Sequence, residues 1–239
     1  MYPLFNERPL PSGIGLTGFV VSNPQIQIRT VNPLGMRGMV RTGKKIGNRV
    51  ITMHAALIYE THEHAVQIWR DFLDWCYSDE PGRLILPGDE DRYILAECDQ
   101  FPIPDFSKPF DMFDFAFNAQ DPAFYSTLQS SQGVSSGGIF RIGGGLDVPV
   151  TITGLISSDQ DELEIMVDGY TIELAGSIDT GQLTVQTGTL ASVSVGDEDV
   201  TDLLTLASDI DFTLGPGAHT ITYPASLSGV TVTWRDAWL

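Results

Sequence analysis

ITMHAALIYETHEHAVQIWRDFLDWCYS, residues 51–78, decides the fold of the first half of the chain, because its hydrophobic period changes midway. Over residues 51–59 every second side chain is apolar, which predicts a half-buried β-strand. Residues 61–78 are predicted to form an α-helix, which Thr61 caps and Pro81-Gly82 ends. Its apolar stripe consists of Ala65, Trp69, Phe72, Leu73 and Cys76. We expect this helix to pack across an otherwise β domain and to fill one mouth of a barrel.

The rest of the chain is predicted to be mainly β. Residues 83–86 and 92–95 flank an acidic Pro-Gly turn, and Phe113, Phe115 and Phe117 alternate along a one-sided strand. Asp168-Gly169 is a strong two-residue hairpin signal. From about residue 139 onward, short strands and turns without a helical period predict a β-sandwich; its strands are expected at residues 148–154, 163–167, 170–174, 182–186 and 230–234.

A change of composition separates the two halves. Residues 126–138 are rich in Ser, Gly and Gln, which is typical of a connector. We therefore predict two domains, residues 1–130 with the single helix and residues 131–239.

Charge is distributed unevenly along the chain, whose formal net charge is −18. Residues 1–125 carry 11 Lys and Arg against 16 Asp and Glu, whereas residues 126–239 carry 2 against 15. Every charged side chain from Arg8 to Arg49 is basic. The overall sign argues against nucleic acid bound by general electrostatics. The asymmetry fits either two solvated faces or copies of the chain that meet head to tail.

Cysteine content and hydropathy point to a cytoplasmic folding environment. Cys76 and Cys98 are interpreted as two separate buried thiols rather than a disulfide framework. No apolar run reaches the length of a membrane span, and no secretory signal pattern is visible.

Three short motifs could carry chemistry, and each lacks a part that it needs. GIGLTG at residues 13–18 has dinucleotide-type glycines but no preceding strand or following helix, so a Gly-rich loop is expected. His62-Glu63-His64 lacks the histidine spacing of a zinc helix, and the acidic turns at residues 159–161 and 197–199 lack the remaining parts of a calcium loop. We therefore expect no catalytic, cofactor or metal site, and a glycoside hydrolase ranks last among the functions considered.

Two tryptophans are candidates for stacking on a sugar. Trp234 lies in an alternating strand, which favours a core position, and Trp238 lies one residue from the end, which favours an interface or the surface.

The order of these parts resembles the distal tail (Dit-type, baseplate hub) proteins of long-tailed siphovirus-type phages over essentially the whole chain. The resemblance rests on the strand and Trp-containing helix at residues 51–78 and on FNAQDPAFY at 117–125. It continues in FTLGPGAHTI at 212–221 and VTVTWRDAWL at 230–239, although Ala218 and His219 replace the asparagine usual near the Pro-Gly turn.

The resemblance implies an N-terminal split β-barrel and a C-terminal galectin-like β-sandwich. It also implies a ring of six copies that joins the tail tube to the tail tip or baseplate and leaves a channel for DNA. The implied partners are the chain itself, the tail tube protein, and tail-tip, tail-fibre or receptor-binding proteins. The protein would be assembled in the host cytoplasm and reside in the virion, without enzymatic activity, a cofactor, a membrane or sequence-specific nucleic acid.

A closed ring needs head-to-tail contacts, which an extended loop could supply. Residues 37–49 combine three glycines with five bases, so Arg37, Arg41, Lys44, Lys45 and Arg49 are predicted to contact an acidic surface of a neighbour. The alternative function is a carbohydrate-binding module that recognises host cell-wall sugars through the C-terminal sandwich.

Overall fold

The chain folds into two compact units, Met1–Phe124 and Tyr125–Leu239. The structure, a computed structural model, describes residues 2–32, 37–101 and 110–239. The predicted domain limits, 1–130 and 131–239, differ from this division by six residues and stay a prediction. The expected connector, residues 126–138, lies wholly within the second unit, and residues 130–133 form a strand there.

The first unit is built from antiparallel strands and one helix. Its elements are β1 (Leu4–Phe5), β2 (Arg8–Pro9), β3 (Ile14–Val21), β4 (Ile26–Val31), β5 (Val40–Ile46), β6 (Arg49–Ile58), α1 (His62–Cys76), β7 (Gly82–Ile85), β8 (Arg92–Gln100) and β9 (Phe110–Ala119). A further strand, β10 (Phe124–Ser126), lies where the two units join in sequence.

Strand β8 gives this unit its split-barrel form. Within the described residues, the strand order is β2-β1-β7-β8-β9-β6-β3. The first part of β8 pairs with β7, with Ala96 opposite Gly82, and its last part pairs with β9, with Glu97 opposite Asn118. The single strand β8 thus pairs with β7 in one half of the sheet and with β9 in the other. No pair of described strands closes the barrel between β2 and β3. The predicted hairpin around the acidic Pro-Gly turn is confirmed as β7 and β8.

Helix α1 lies over the aromatic strand β9, and its predicted cap is confirmed, since the Thr61 hydroxyl accepts a hydrogen bond from the His64 amide at 3.2 Å. The Phe72 ring contacts the rings of Phe113 and Phe115, with centroids 5.5 and 5.0 Å away. The buried face differs in part from the predicted stripe, because Leu73 is exposed and Trp69 is half-buried. The fully packed helical positions are Ala65, Ile68, Phe72, Trp75 and Cys76.

The two thiols are both free, as the sequence predicted, but only one of them is buried. Cys76 is buried at the end of α1, but Cys98 on β8 is only half-buried, and both are free. Burial, with the neighbouring Cys98 side chain as the second cause, raises the pKa of the Cys76 thiol. The helix end and the strand therefore meet at a pair of reduced sulfurs.

The second unit is a β-sandwich, as predicted. Its strands are β11 (Ser130–Gly133), β12 (Gly138–Ile142), β13 (Val150–Ile156), β14 (Gln160–Val167), β15 (Tyr170–Ile178), β16 (Gly181–Gln186), β17 (Ser192–Val195), β18 (Glu198–Asp199), β19 (Gly217–Thr222), β20 (Leu227–Trp234) and β21 (Ala237–Trp238), with a single 3-10 turn at Thr201–Leu203. One sheet has the order β11-β20-β13-β16-β17-β18 and the other β12-β19-β14-β15. The core lies between them and includes Phe140, Ile152, Val185, Ile221 and Val232.

The predicted Asp168-Gly169 hairpin is confirmed between β14 and β15. Asp168 and Gly169 both have positive φ, 48° and 94°, which a two-residue turn requires when it follows the twist of its strands. In the part of the chain that the structure describes, no helical segment qualifies as a membrane span.

Candidate subunit interface

A two-stranded hairpin, β4 with β5, forms a sheet of its own in the first unit. It runs from Ile26 opposite Ile46 to Val31 opposite Val40, with an irregular register after Arg29. Within the part of the chain that the structure describes, no third strand pairs with either outer edge. Every side chain of β4 is exposed, and those of β5 are exposed or half-buried. Both faces of the hairpin are therefore open to solvent.

This hairpin replaces the Gly-rich loop that the sequence predicted at residues 37–49. Residues 40–46 are paired strand rather than loop, because Val40 and Ile46 find β-branched partners across the ladder. Gly38, with φ of 102°, lies at the turn end of the hairpin, where a positive φ favours glycine.

The hairpin exposes apolar side chains on both of its faces. Cross-strand partners share a face, so Ile26, Ile28 and Lys44 lie on one side, and Val31 and Val40 lie on the other. The exposed apolar residues, each at least 45% accessible, are Ile26, Ile28, Val31, Met39 and Val40. Sequence reasoning missed this feature, although Ile26 and Ile28 alternate with the polar residues Gln27 and Arg29.

The same hairpin concentrates positive charge. Residues 26–46 contain five Arg and Lys and no Asp or Glu. Arg37, Arg41, Lys44 and Lys45, together with Arg29, are all exposed, and none forms an ion pair with another described residue. The structure thus brings four of the five predicted interface bases onto one surface element and adds Arg29 to them.

Arg49, the fifth predicted interface base, is placed differently. Its side chain is only 6% exposed, and its guanidinium lies over the Phe124 ring, 5.0 Å from the centroid. Burial lowers the pKa of Arg49. Arg49 begins β6 and packs against an aromatic ring, so we assign it to the packing of the first unit and leave it out of the interface proposal.

The candidate sugar-stacking residues are not presented as an open aromatic platform. Trp234 is buried against Phe140, with centroids 5.9 Å apart, and its Nε1 donates a hydrogen bond to Asp236 at 3.0 Å. Trp238 is half-buried on β21. The core position expected for Trp234 is thus observed, and sugar binding by either tryptophan stays an untested prediction.

The rejected motifs have structural explanations. Gly13 precedes β3, so a strand rather than a loop or helix follows it; with φ of 92°, it lies so close to helix α1 that a Cβ would come within 2.4 Å of the Ile68 side chain. Asp159 and Asp199 accept hydrogen bonds from the amides of Thr180 and Thr201, at 3.0 and 2.9 Å. Those carboxylates stabilise turns, and among the described residues no cluster of His, Cys, Asp and Glu could hold a metal ion.

The comparisons with known proteins cover both units in succession. The family model described as phage tail protein RIFT-related domain matches residues 4–118. The family model described as siphovirus-type tail component, C-terminal domain, matches residues 143–238. The chain belongs to the siphovirus-type distal tail proteins. It is therefore a component of a phage tail.

Solved structures show the same fold. The Dit protein of phage SPP1, described as a paradigm of the hub adsorption apparatus in phages infecting Gram-positive bacteria, matches with a TM-score of 0.81 and 16% identity. That match covers 100% of this chain and 99% of the SPP1 chain. A chain of the phage p2 baseplate in its activated conformation with Sr matches with a TM-score of 0.50 and 8% identity, covering 94% of this chain and 90% of that one. No curated protein sequence matches the chain.

Proposed function

We propose that six copies of the chain form a closed ring that links the tail tube to the tail tip or baseplate and leaves a channel for DNA. In this proposal the ring resides in the virion, is assembled in the host cytoplasm, and contacts the tail tube protein on one side and tail-tip, tail-fibre or receptor-binding proteins on the other. The observation that carries it is the β4–β5 hairpin, which has the properties of one half of an interface.

Stability is the first argument for this role. An isolated two-stranded hairpin is at best marginally stable in water. Here both faces of the hairpin are solvated and both outer edges are unpaired within the described residues. Packing against a neighbour would bury Ile26, Ile28, Val31, Met39 and Val40 and order the strands.

Charge is the second argument. The hairpin carries a formal charge of +5. Because the net charge of the whole chain is −18, the rest of the chain carries −23. A basic element on an acidic protein is attracted to other copies of the same chain, and the attraction orients them. Because the hairpin and its complement are different surfaces, the contact is heterologous and can close into a ring.

Charge reversal tests the proposal. We expect the wild-type protein to form rings in negative-stain microscopy and the Arg41→Glu/Lys44→Glu/Lys45→Glu variant to form none. Arg70→Glu/Arg141→Glu, which adds negative charge at exposed positions outside the hairpin, serves as the control and should leave the rings intact. Rings formed normally by the triple variant would overturn the role of the hairpin.

A further inference from the structure

Strand β3 is a long edge strand with an unprotected side. It pairs with β6, and no described strand pairs with its other side. Ile14–Val21 carries no charged residue and no proline. Natural proteins usually protect exposed sheet edges with lysine, proline, bulges or short strands. The one protective feature of β3 is a bulge at Thr17, whose hydroxyl donates to the His54 carbonyl at 3.0 Å.

Hydrogen bonds at the two ends of the β3–β6 ladder show which peptide groups face outward. The Ile58 amide donates to the Gly13 carbonyl and the Ser22 amide donates to the Val50 carbonyl, each at 2.9 Å. Bonded and non-bonded pairs alternate along an antiparallel ladder. We counted alternate residue pairs inward from each end as far as the bulge. The count from the first end places the peptide group of Leu16 away from β6, and the count from the other end places those of Phe19 and Val21 away from it.

These outward peptide groups belong to a well-anchored strand. The side chains of Leu16, Phe19 and Val21 pack against the core of the first unit. The amides of Gly18 and Val20, by contrast, point toward β6, where Gly18 pairs with His54 and Val20 pairs with Thr52. A row of unpaired donors and acceptors is therefore held in extended geometry along the free side.

We infer that this free edge of β3 receives a strand of the β4–β5 hairpin from a second copy of the chain, so that the sheet of one subunit continues into the next. The inference rests on the ring proposed above and names the surface that the hairpin contacts. Strand lengths fit, because β3 has 8 residues and β4 and β5 have 6 and 7. Main-chain hydrogen bonds to an exposed sheet edge are a general mode of strand recognition.

The outer face beside this edge suits the hairpin. Val20, Ile58 and Met112, on three neighbouring strands, are each at least 58% exposed. Because Gly15 and Gly18 have no side chains, the part of that face formed by β3 leaves room for an approaching strand. The exposed carboxylate of Asp114, which contacts His54 at 2.7 Å, lies on the same face and offers a partner to a hairpin base. The isoleucines of the hairpin would thus contact apolar side chains on this face, and its basic side chains would contact a carboxylate.

Amide hydrogen exchange resolved to single residues tests the inference. The comparison is between the wild-type ring and the Arg41→Glu/Lys44→Glu/Lys45→Glu variant, which the ring proposal expects to be monomeric. The amides of Leu16, Phe19 and Val21 should exchange at least about tenfold more slowly in the ring, whereas those of Gly18 and Val20 should be protected in both. Val20→Lys should also prevent assembly, and Leu206→Lys, at a fully exposed position in the second unit, should not.

The possible failures are distinguishable. A wild-type ring in which Leu16, Phe19 and Val21 exchange as fast as in the monomer would overturn the β3 contact and leave the ring proposal standing. Protection of these amides already in the monomeric variant would overturn it too, since the edge would then be covered within one chain. A wild-type protein that never assembles, or a triple variant that still forms rings, would overturn the proposed function itself.

Discussion

The His219 imidazole binds the Asp168 carboxylate through Nδ1 at 2.6 Å, although the two residues are 51 positions apart. Its Nε2 lies 2.7 Å from the Gly215 carbonyl oxygen, and the other Asp168 oxygen accepts from the Thr220 amide at 2.7 Å. Both partners of the ring are acceptors, so the imidazolium form can donate to both. This contact ties the β14–β15 turn to the start of β19.

Removing this contact should destabilise the second unit. Asp168→Ala leaves the Thr220 amide and the buried imidazole without their partner and places alanine at a positive φ, so we expect a loss of about 1–3 kcal/mol in the free energy of unfolding. Asp168→Asn keeps an acceptor and tolerates the turn, so it should lose less. Urea unfolding measures both variants, and equal stabilities would contradict the account.

Gly13 should tolerate alanine less well than Gly88. Both have positive φ, 92° and 85°, but a Cβ at Gly13 would meet Ile68 at 2.4 Å, whereas nothing lies within 4 Å at Gly88. Gly88→Ala should cost about 1 kcal/mol from the backbone alone, and Gly13→Ala should cost about 1–3 kcal/mol more from overpacking. Thermal unfolding of the two variants provides the comparison, and similar midpoints would argue against close packing of α1 on the turn that precedes β3.

The Cys76 thiol should make stability decrease at alkaline pH. Burial raises its pKa above the ordinary value of 9.0. Above pH 9.0 the unfolded chain loses this proton while the folded chain keeps it, so stability that is fully present below that pH falls as pH rises, by up to about 1.4 kcal/mol per pH unit. Unfolding free energies between pH 8 and 10.5 should therefore fall less steeply in Cys76→Ala than in the wild-type protein. Parallel slopes would show that the thiol ionises equally easily in both states.

Trp234 should contribute to stability rather than to ligand binding. Trp234→Ala removes a buried ring that contacts Phe140, so a loss of about 3–5 kcal/mol is expected, with a smaller loss for Trp234→Phe. Chemical denaturation gives both values. A Trp234→Ala protein of normal stability that has lost binding to cell-wall polysaccharide would instead support the carbohydrate-binding alternative.

The sequence predicted those parts of the fold that depend on local chemistry. Thr61 caps α1 and Asp168-Gly169 turns the chain because short-range backbone preferences act there. The burial of Trp75 instead of Leu73 was not predicted, because it depends on where Phe115 and Phe117 of β9 approach the helix. The role of His219 was missed for the same reason, since its partner lies in a distant turn.

The charge pattern of the sequence predicted the basic residues of the candidate interface, but the hairpin that carries them was not predicted. A run of bases without acids is visible in the sequence, and it marked Arg37, Arg41, Lys44 and Lys45. That Arg49 turns inward follows from its position in β6, where Phe124 covers it. Strand β4 was missed although Ile26 and Ile28 alternate with Gln27 and Arg29, and the exposure of the two isoleucines depends on the tertiary structure.

The mass of the purified protein in solution tests the central claim most directly. Light scattering coupled to size-exclusion chromatography should give a single species of six times 26.1 kDa, about 157 kDa, which the Arg41→Glu/Lys44→Glu/Lys45→Glu variant fails to form. A wild-type chain that stays at 26.1 kDa at every concentration tested would contradict the ring, and with it the interface that the β4–β5 hairpin is proposed to form.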